Sequence, residues 1–425
     1  MVEPVEHQVQ ASEKRGLEKW GLSPFFPIRV LSLISNQTVM GASKVVMEFC
    51  SQASHVGIEC TPVCLVRGAA LRQAQGGPER FGLARRPEPV EGQGRGAGGT
   101  SEYAEALKDA GIRCERVVER GRFDPRGLMQ LAALIRRYRP GVVEAHGHRE
   151  ALYLLALQRL LSFKLVVYFH GWTEASCWTR ESSQLSSLVW RRCPVVITVC
   201  RNFKERLRRQ GVPESRIHVF YNGIDPDLNL AMPASADARR ELNVPPGIPL
   251  MVVIGRLSGE KGQANFLRAF AHVAERRSDV KAVIVGEGPD RPGLVDLARE
   301  LRLDSRVVFT GYQRDVRRYY ESADLLVVPS KSEGIPNVVL EAMLFGVPVV
   351  STRVGGIPEI IRDRWNGVLV PPENPAELAR AIVEVITDKA LARRLARTAR
   401  EETLPKFTTL ERCAKIADFY RKITS

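Results

Sequence analysis

Short runs of β-branched and aliphatic residues recur along this 425-residue chain, each followed by a stretch with helical spacing. The first series is "IRVLSLI" (28–34), "IECTPVCLV" (58–66), "RCERVV", "GVVEAH", "KLVVYFH", "PVVITV" and "RIHVFYNG". The second begins at "PLMVVIGRL" (249–257) and continues with "KAVIVGEG", "RVVFTGY", "ADLLVVPS", "GVPVVST" and "NGVLVPP". An unbroken apolar run suits a strand covered on both faces, and strands alternating with helices build a parallel, doubly wound sheet. The Pro- and Asp-rich stretch "NGIDPDLNLAMPASADARR" (222–240) separates the two series. Two α/β domains are expected, facing each other across a ligand cleft.

The segment 67–100 breaks this rhythm. It is rich in Gly, Arg, Pro and Gln with almost no apolar period, and it resembles translated bacterial intergenic repeats. It reads as a disordered surface insertion, with an Arg-rich lipid- or nucleic-acid-binding loop as the rival reading. Hydrophobic residues make up 44% and charged residues 26%, an ordinary globular balance. The net charge of +14 favours anionic partners: nucleic acid, a membrane surface or a phosphorylated substrate. Eight cysteines without a CxxC pair read as reduced core thiols. The polar first 27 residues lack the apolar run of a signal peptide, and "ALYLLALQRLLSF" is too short to span a bilayer. A cytoplasmic location is expected, with peripheral contact at the inner face of the membrane as an option.

Two stretches carry chemistry. "IGRLSGEKG" (254–262) follows a strand, so Arg256 and Lys261 project where parallel sheets bind ligands. An Arg fork and a Lys point charge suit a diphosphate. In "SKSEGIPNVVLEAMLFGVPVVSTRVGGIPE" (330–359), the only charge between Gly334 and Val350 is Glu341, with Glu333 ahead of it. A buried carboxylate is costly unless it is paired, and this segment offers Glu341 no basic partner. Either it points to water or something outside the chain satisfies it, such as the two hydroxyls of a ribose. Pro336 sets up the first turn of a helix, whose free N–H groups at Asn337 and Val338 would face an anion.

"GRLSGEKG", "VGEGPDR", "FTGYQRDV", the 330–359 stretch and "NGVLVPP" resemble the donor half of glycosyltransferase family 4 in order and spacing. "MGASKVV", "VEAHGH", "YFHGW" and "YNGID" resemble its other half more loosely. The resemblance implies a retaining, metal-independent enzyme of hexosyltransferase type. Its fold would be GT-B, two Rossmann-like domains with a C-terminal helix crossing back to the first. It implies an acceptor domain over 1–225, a donor domain over 226–406 and that helix over 407–425. Arg256 and Lys261 would hold the donor diphosphate, Glu341 the ribose, and Glu333 and neighbouring Gly334 the transferred sugar. His170 would face that sugar, Gly41 would let the first loop approach the phosphate, and Tyr312 would lie by the base. The donor would be a nucleotide diphosphate sugar and the acceptor a glycan or lipid-linked glycan, as in polysaccharide biosynthesis. No cofactor, metal or nucleic acid is implied. The first loop departs from the usual "GGAE" pattern, with Gly41-Ala42-Ser43 in its place.

Weaker features stand beside these. "DPD" (225–227) has the DxD form but reads as a turn in the connection. His146, in "HGH", reads as cleft-lining or structural, with no third metal ligand nearby. "RNFKERLRR" (201–209) reads as a solvated basic helix or a contact for anionic lipid. Two other functions compete with sugar transfer: a nucleotide-sugar epimerase of the same fold, and a non-catalytic binder of anions or nucleic acid.

Overall fold

The computed structural model describes residues 27–35, 42–67, 102–120, 124–171, 187–226 and 238–425. Gly41, Asp227 and all but the first residue of the 67–100 insertion lie outside these. The first sheet holds seven parallel strands in the order β3-β2-β1-β4-β5-β6-β7. They are β1 (Ile28–Ile34), β2 (Ile58–Arg67), β3 (Glu115–Glu119), β4 (Val142–Ala145), β5 (Lys164–Phe169), β6 (Val195–Thr198) and β7 (Ile217–Val219). The second sheet runs β10-β9-β8-β11-β12-β13. Its strands are β8 (Leu250–Ile254), β9 (Lys281–Val285), β10 (Val307–Gly311), β11 (Leu325–Val328), β12 (Val349–Thr352) and β13 (Val368–Val370). Every residue of β4, β11, β12 and β13 is buried, which is why their sequences show no polar alternation. The chain is thus two Rossmann-like α/β domains, as expected.

Each sheet has one place where the winding reverses. In the first, β1 pairs with β4, Val30 opposite Val142; in the second, β8 pairs with β11, Met251 opposite Leu325. The loops leaving such a pair diverge and open a crevice at the carboxyl edge of the sheet. The second sheet's crevice is therefore bounded by the loops after Ile254 and Val328.

The last helix, Thr409–Thr424, starts with a capping interaction: the Thr408 side chain accepts a hydrogen bond from the Glu411 N–H at 3.2 Å. Its Cys413, Ile416, Ala417 and Tyr420 pack among Val30, Phe49, Val142 and Tyr168, so the chain's end returns to the first domain. The basic helix Arg201–Arg209 buries Phe203 and Leu207, while Arg208 and Arg209 pair with Glu205 at the surface. Among the described residues no helix is long and apolar enough to cross a membrane.

Candidate active site

The crevice between β8 and β11 gathers most of the expected residues. After β8 the chain makes a short turn over Gly259–Lys261, passes Gly262 with φ 68°, and enters the helix Gln263–Arg276. Gly262 is needed twice: its φ is left-handed, and a Cβ would sit 2.1 Å from the Pro329 carbonyl oxygen. The loop after β8 is thereby seated on the loop after β11. Lys261 Nζ donates to both oxygens of Glu333, at 2.8 and 3.0 Å, and Ser330 Oγ donates to Glu333 Oε1 at 2.7 Å. Glu333 is buried, and Gly355 (φ 54°) leaves room for its backbone, since a Cβ there would lie 1.7 Å from the Glu333 carbonyl oxygen. The Arg256 guanidinium has no partner among the described residues. At the mouth, the helix Asn337–Leu344 begins after Pro336, and its first N–H groups, on Asn337 and Val338, lack partners within the helix.

Glu341 is buried on this helix, and here the sequence reading is corrected. Its partners come from within the chain. Lys44 Nζ donates to Oε1 at 2.5 Å, and Tyr320 OH donates to Oε2 at 2.6 Å. Burial pushes the Glu341 carboxyl up, but the Lys44 charge and the two donated bonds outweigh it and hold it below its ordinary value. Lys44 lies 297 positions away, on the first domain's helix Ala42–Gln52, so no local inspection pairs it with Glu341. The bond joins the two domains. The same helix carries Glu48, buried 3.9 Å from Lys44 Nζ.

On the first domain, His170 follows β5 and is partly buried. Its Nε2 lies 2.9 Å from Nδ1 of His146. Burial, with His146 and Arg412 nearby, lowers the His170 pKa well below the ordinary imidazole value. The next residue, Gly171, lies against the Phe203 ring, and Gly334 lies against the same ring (Cβ positions 2.9 and 3.1 Å from it). His170 and the Glu333 loop are therefore neighbours across the cleft. Tyr312 is exposed beyond the edge strand β10. Asp225 turns inward, accepting from Gln52 Nε2 at 2.5 Å.

Comparison with known proteins gives this geometry a family. Residues 39–228 match the model of Glycosyltransferase Family 4, and residues 235–402 match that of Glycosyl transferases group 1. The chain belongs to glycosyltransferase family 4. Relatives of this glycosyltransferase include an uncharacterized glycosyltransferase of Methanocaldococcus jannaschii, 35% identical over 50% of this chain and 56% of that protein. The alpha-D-kanosaminyltransferase of Streptomyces kanamyceticus is 28% identical over 64% of this chain and 74% of that protein. The chain thus spans between about half and three quarters of the length of these curated relatives. Among solved structures, Anabaena HepE in complex with UDP and glucose superposes with a TM-score of 0.76 at 19% identity, covering 93% of this chain and 100% of that one. Sucrose-phosphate synthase from Thermosynechococcus elongatus gives 0.70 at 21% identity, covering 93% and 99%. These likenesses show the GT-B fold.

Within the glycosyltransferase, the structure brings Arg256, Lys261, Glu333, Gly334, Asn337, Val338 and Glu341 to one crevice, with His170 facing them from the other domain. Lys44, Tyr320 and Ser330 complete the carboxylates' surroundings and were not anticipated. Ser330 alone had a local signal, three positions before Glu333 in the same loop.

Proposed function

We propose that this chain is a retaining, metal-independent glycosyltransferase that moves a sugar from a nucleoside diphosphate sugar to a hydroxyl of a glycan or lipid-linked glycan. The observation that carries this reading is the single crevice at β8/β11. There Lys261 pairs with buried Glu333, Arg256 follows the end of β8, and the helix that carries buried Glu341 begins. Arg256 and Lys261 hold the diphosphate and stabilise its charge as it leaves, the role a divalent cation fills elsewhere. The N–H groups of Asn337 and Val338 add partial positive charge there. Glu341 accepts from the ribose hydroxyls through the lone pairs that Lys44 and Tyr320 leave open, since each carboxylate oxygen can accept more than one bond. Gly41 in the first loop and Tyr312 beyond β10 would bound the phosphate and base ends.

Glu333 fits a positioning role better than a nucleophilic one. Both its oxygens accept from Lys261, and Oε1 accepts from Ser330 as well. A carboxylate held this way is a poor attacking group but a good acceptor for sugar hydroxyls. A same-face displacement, with the departing phosphate taking the acceptor's proton, retains the configuration without a covalent intermediate. Family membership favours transfer over the epimerase and the nucleic-acid binder. Uridine nucleotides are the first probes to try, because HepE was solved with UDP and with UDP-glucose. The test is a panel of nucleoside diphosphate sugars, scored by rise in melting temperature and by glycoside formation with retained anomeric configuration. A ligand at a hundredfold its Kd stabilises by about 2.7 kcal/mol, a readable shift. If no nucleoside diphosphate sugar raises the melting temperature, the reading fails.

A further inference from the structure

Behind His170 lies a run of polar groups that the transfer chemistry above does not use. His146 is almost fully buried, and so are Glu144, Ser32, Tyr168 and Tyr420 around it. Glu144 Oε1 accepts from Tyr420 OH at 2.5 Å and from Tyr168 OH at 3.4 Å. Glu144 Oε2 lies 3.3 Å from His146 Nε2, and Ser32 Oγ lies 2.8 Å from the same nitrogen. His146 Nδ1 meets His170 Nε2 at 2.9 Å. The three rings of His146, Tyr168 and His170 are stacked, with planes within 23° of one another, so none can turn over without disturbing the next. The Arg412 guanidinium lies 5.8 Å from the Tyr168 ring.

We propose that Glu144 and His146 are positioning residues that fix the tautomer of His170, leaving its Nδ1 bare to accept a hydrogen bond from a hydroxyl of the transferred sugar. The inference follows from what each group can do. Buried Glu144 is driven up by desolvation, but bonds from His146, Tyr420 and Ser32 bring its carboxyl below the ordinary value, so it is ionised and only accepts. An accepting carboxylate beside His146 Nε2 requires the proton on that nitrogen, because two lone pairs would otherwise face each other. Ser32 gives its one proton to Glu144, so its oxygen can only accept from His146 Nε2, in agreement with that placement. With its proton on Nε2, His146 offers a lone pair at Nδ1. His170 must then place its own proton on Nε2 to meet it. The remaining ring nitrogen, Nδ1 of His170, has no partner among the described residues. It belongs to a partly buried ring beside the Glu333 loop. Second-partner control of a histidine tautomer is the logic seen where a carboxylate orients a working imidazole.

The sugar-facing half of this inference rests on the proposed function; the tautomer half does not. Nitrogen-15 spectra of the free protein at pH 8, above the ordinary imidazole range, read the tautomer directly. The expected result is a bare Nδ1 and a protonated Nε2 on His170 in the wild type and in Ser32→Ala. Glu144→Gln should show a substantial population with the proton moved to His170 Nδ1. With UDP-glucose as the probe donor, release of UDP should then slow roughly tenfold in kcat at little-changed KM. A protonated His170 Nδ1 in the wild type overturns the proposal, and that spectrum needs no variant to fold. An unchanged tautomer in Glu144→Gln removes Glu144 from the role. A shifted tautomer with unchanged kcat refutes the contact with the sugar. Failure of UDP-glucose and every other donor to bind would instead count against the proposed function, with the tautomer result standing on its own.

Discussion

Glu48 is the group whose titration this fold should make visible. It lies on the helix Ala42–Gln52 with its carboxyl buried. Desolvation raises its pKa from 4.5 to about 7; Lys44 and Arg412 pull it down, while Glu341 and Asp225 push it up. In the unfolded chain the same carboxyl ionises near the ordinary value of about 4.3. Between these values the folded protein binds a proton that the unfolded chain has lost. Its contribution to stability is therefore fully present below the unfolded value and is lost as pH rises through about 7. A gap of about 2.7 pH units, at about 1.4 kcal/mol each, makes the full effect roughly 4 kcal/mol, most of it developed between pH 5 and 8. Glu48→Gln mimics the protonated carboxyl at every pH. Urea unfolding of wild type and variant at pH 5, 6, 7 and 8 should show the variant gaining on the wild type by roughly 3 kcal/mol across the series, with most of the change complete by pH 8. A difference that stays flat, or that moves the other way, would refute the reasoning and place Glu48 in water or in a tighter pair with Lys44.

Three further outcomes are expected. Glu341→Ala should weaken binding of the bare nucleoside diphosphate, whereas Glu333→Ala should leave that affinity nearly unchanged and depress kcat, as calorimetry beside steady-state kinetics would show. Glu341→Ala should also lower the urea midpoint, because it strands the Tyr320 hydroxyl and the Lys44 ammonium, a loss of roughly 1–3 kcal/mol. Lys261→Ala should lower turnover by about a hundredfold or more and also lower the urea midpoint, because it leaves the buried Glu333 carboxylate without its cation, and wild-type activity should survive EDTA; rescue of an EDTA-silenced enzyme by Mg²⁺ would reassign the charge-stabilising role to a metal.

The strands were legible because parallel sheets bury both faces, and "LLVV" at 325–328 or "VVST" at 349–352 can hardly be anything else between helical stretches. The crevice was legible for the same reason: once β8 and β11 are strands, Arg256, Lys261 and Glu333 must lie at their carboxyl ends. The return of the last helix came from resemblance. Pairing was not legible. Lys261 and Glu333 were each picked as site residues, yet nothing local states that one holds the other across a separation of 72 positions. His146 could be read as structural, but its position between Glu144 and His170 depends on β4 and β5 being neighbours in register, Glu144 opposite Val166.

Glu341 shows most clearly what a local reading misses. An isolated carboxylate in an uncharged helix raised the right question, namely what satisfies it, and the segment itself held no answer. The answer is a lysine from the other domain and a tyrosine 21 positions upstream. Burying a carboxylate against a cation from a second domain has a physical consequence. The Coulomb attraction between Lys44 and Glu341 depends steeply on their separation, so any opening of the cleft weakens it. Opening also exposes a carboxylate otherwise shielded from water. Under the proposed function, a ribose that engages Glu341 therefore meets a group whose charge state and hydration are set by how close the two domains stand. Donor recognition and domain approach then share one carboxylate, which is a reason for Glu341 to be charged where a neutral side chain would pack at lower cost.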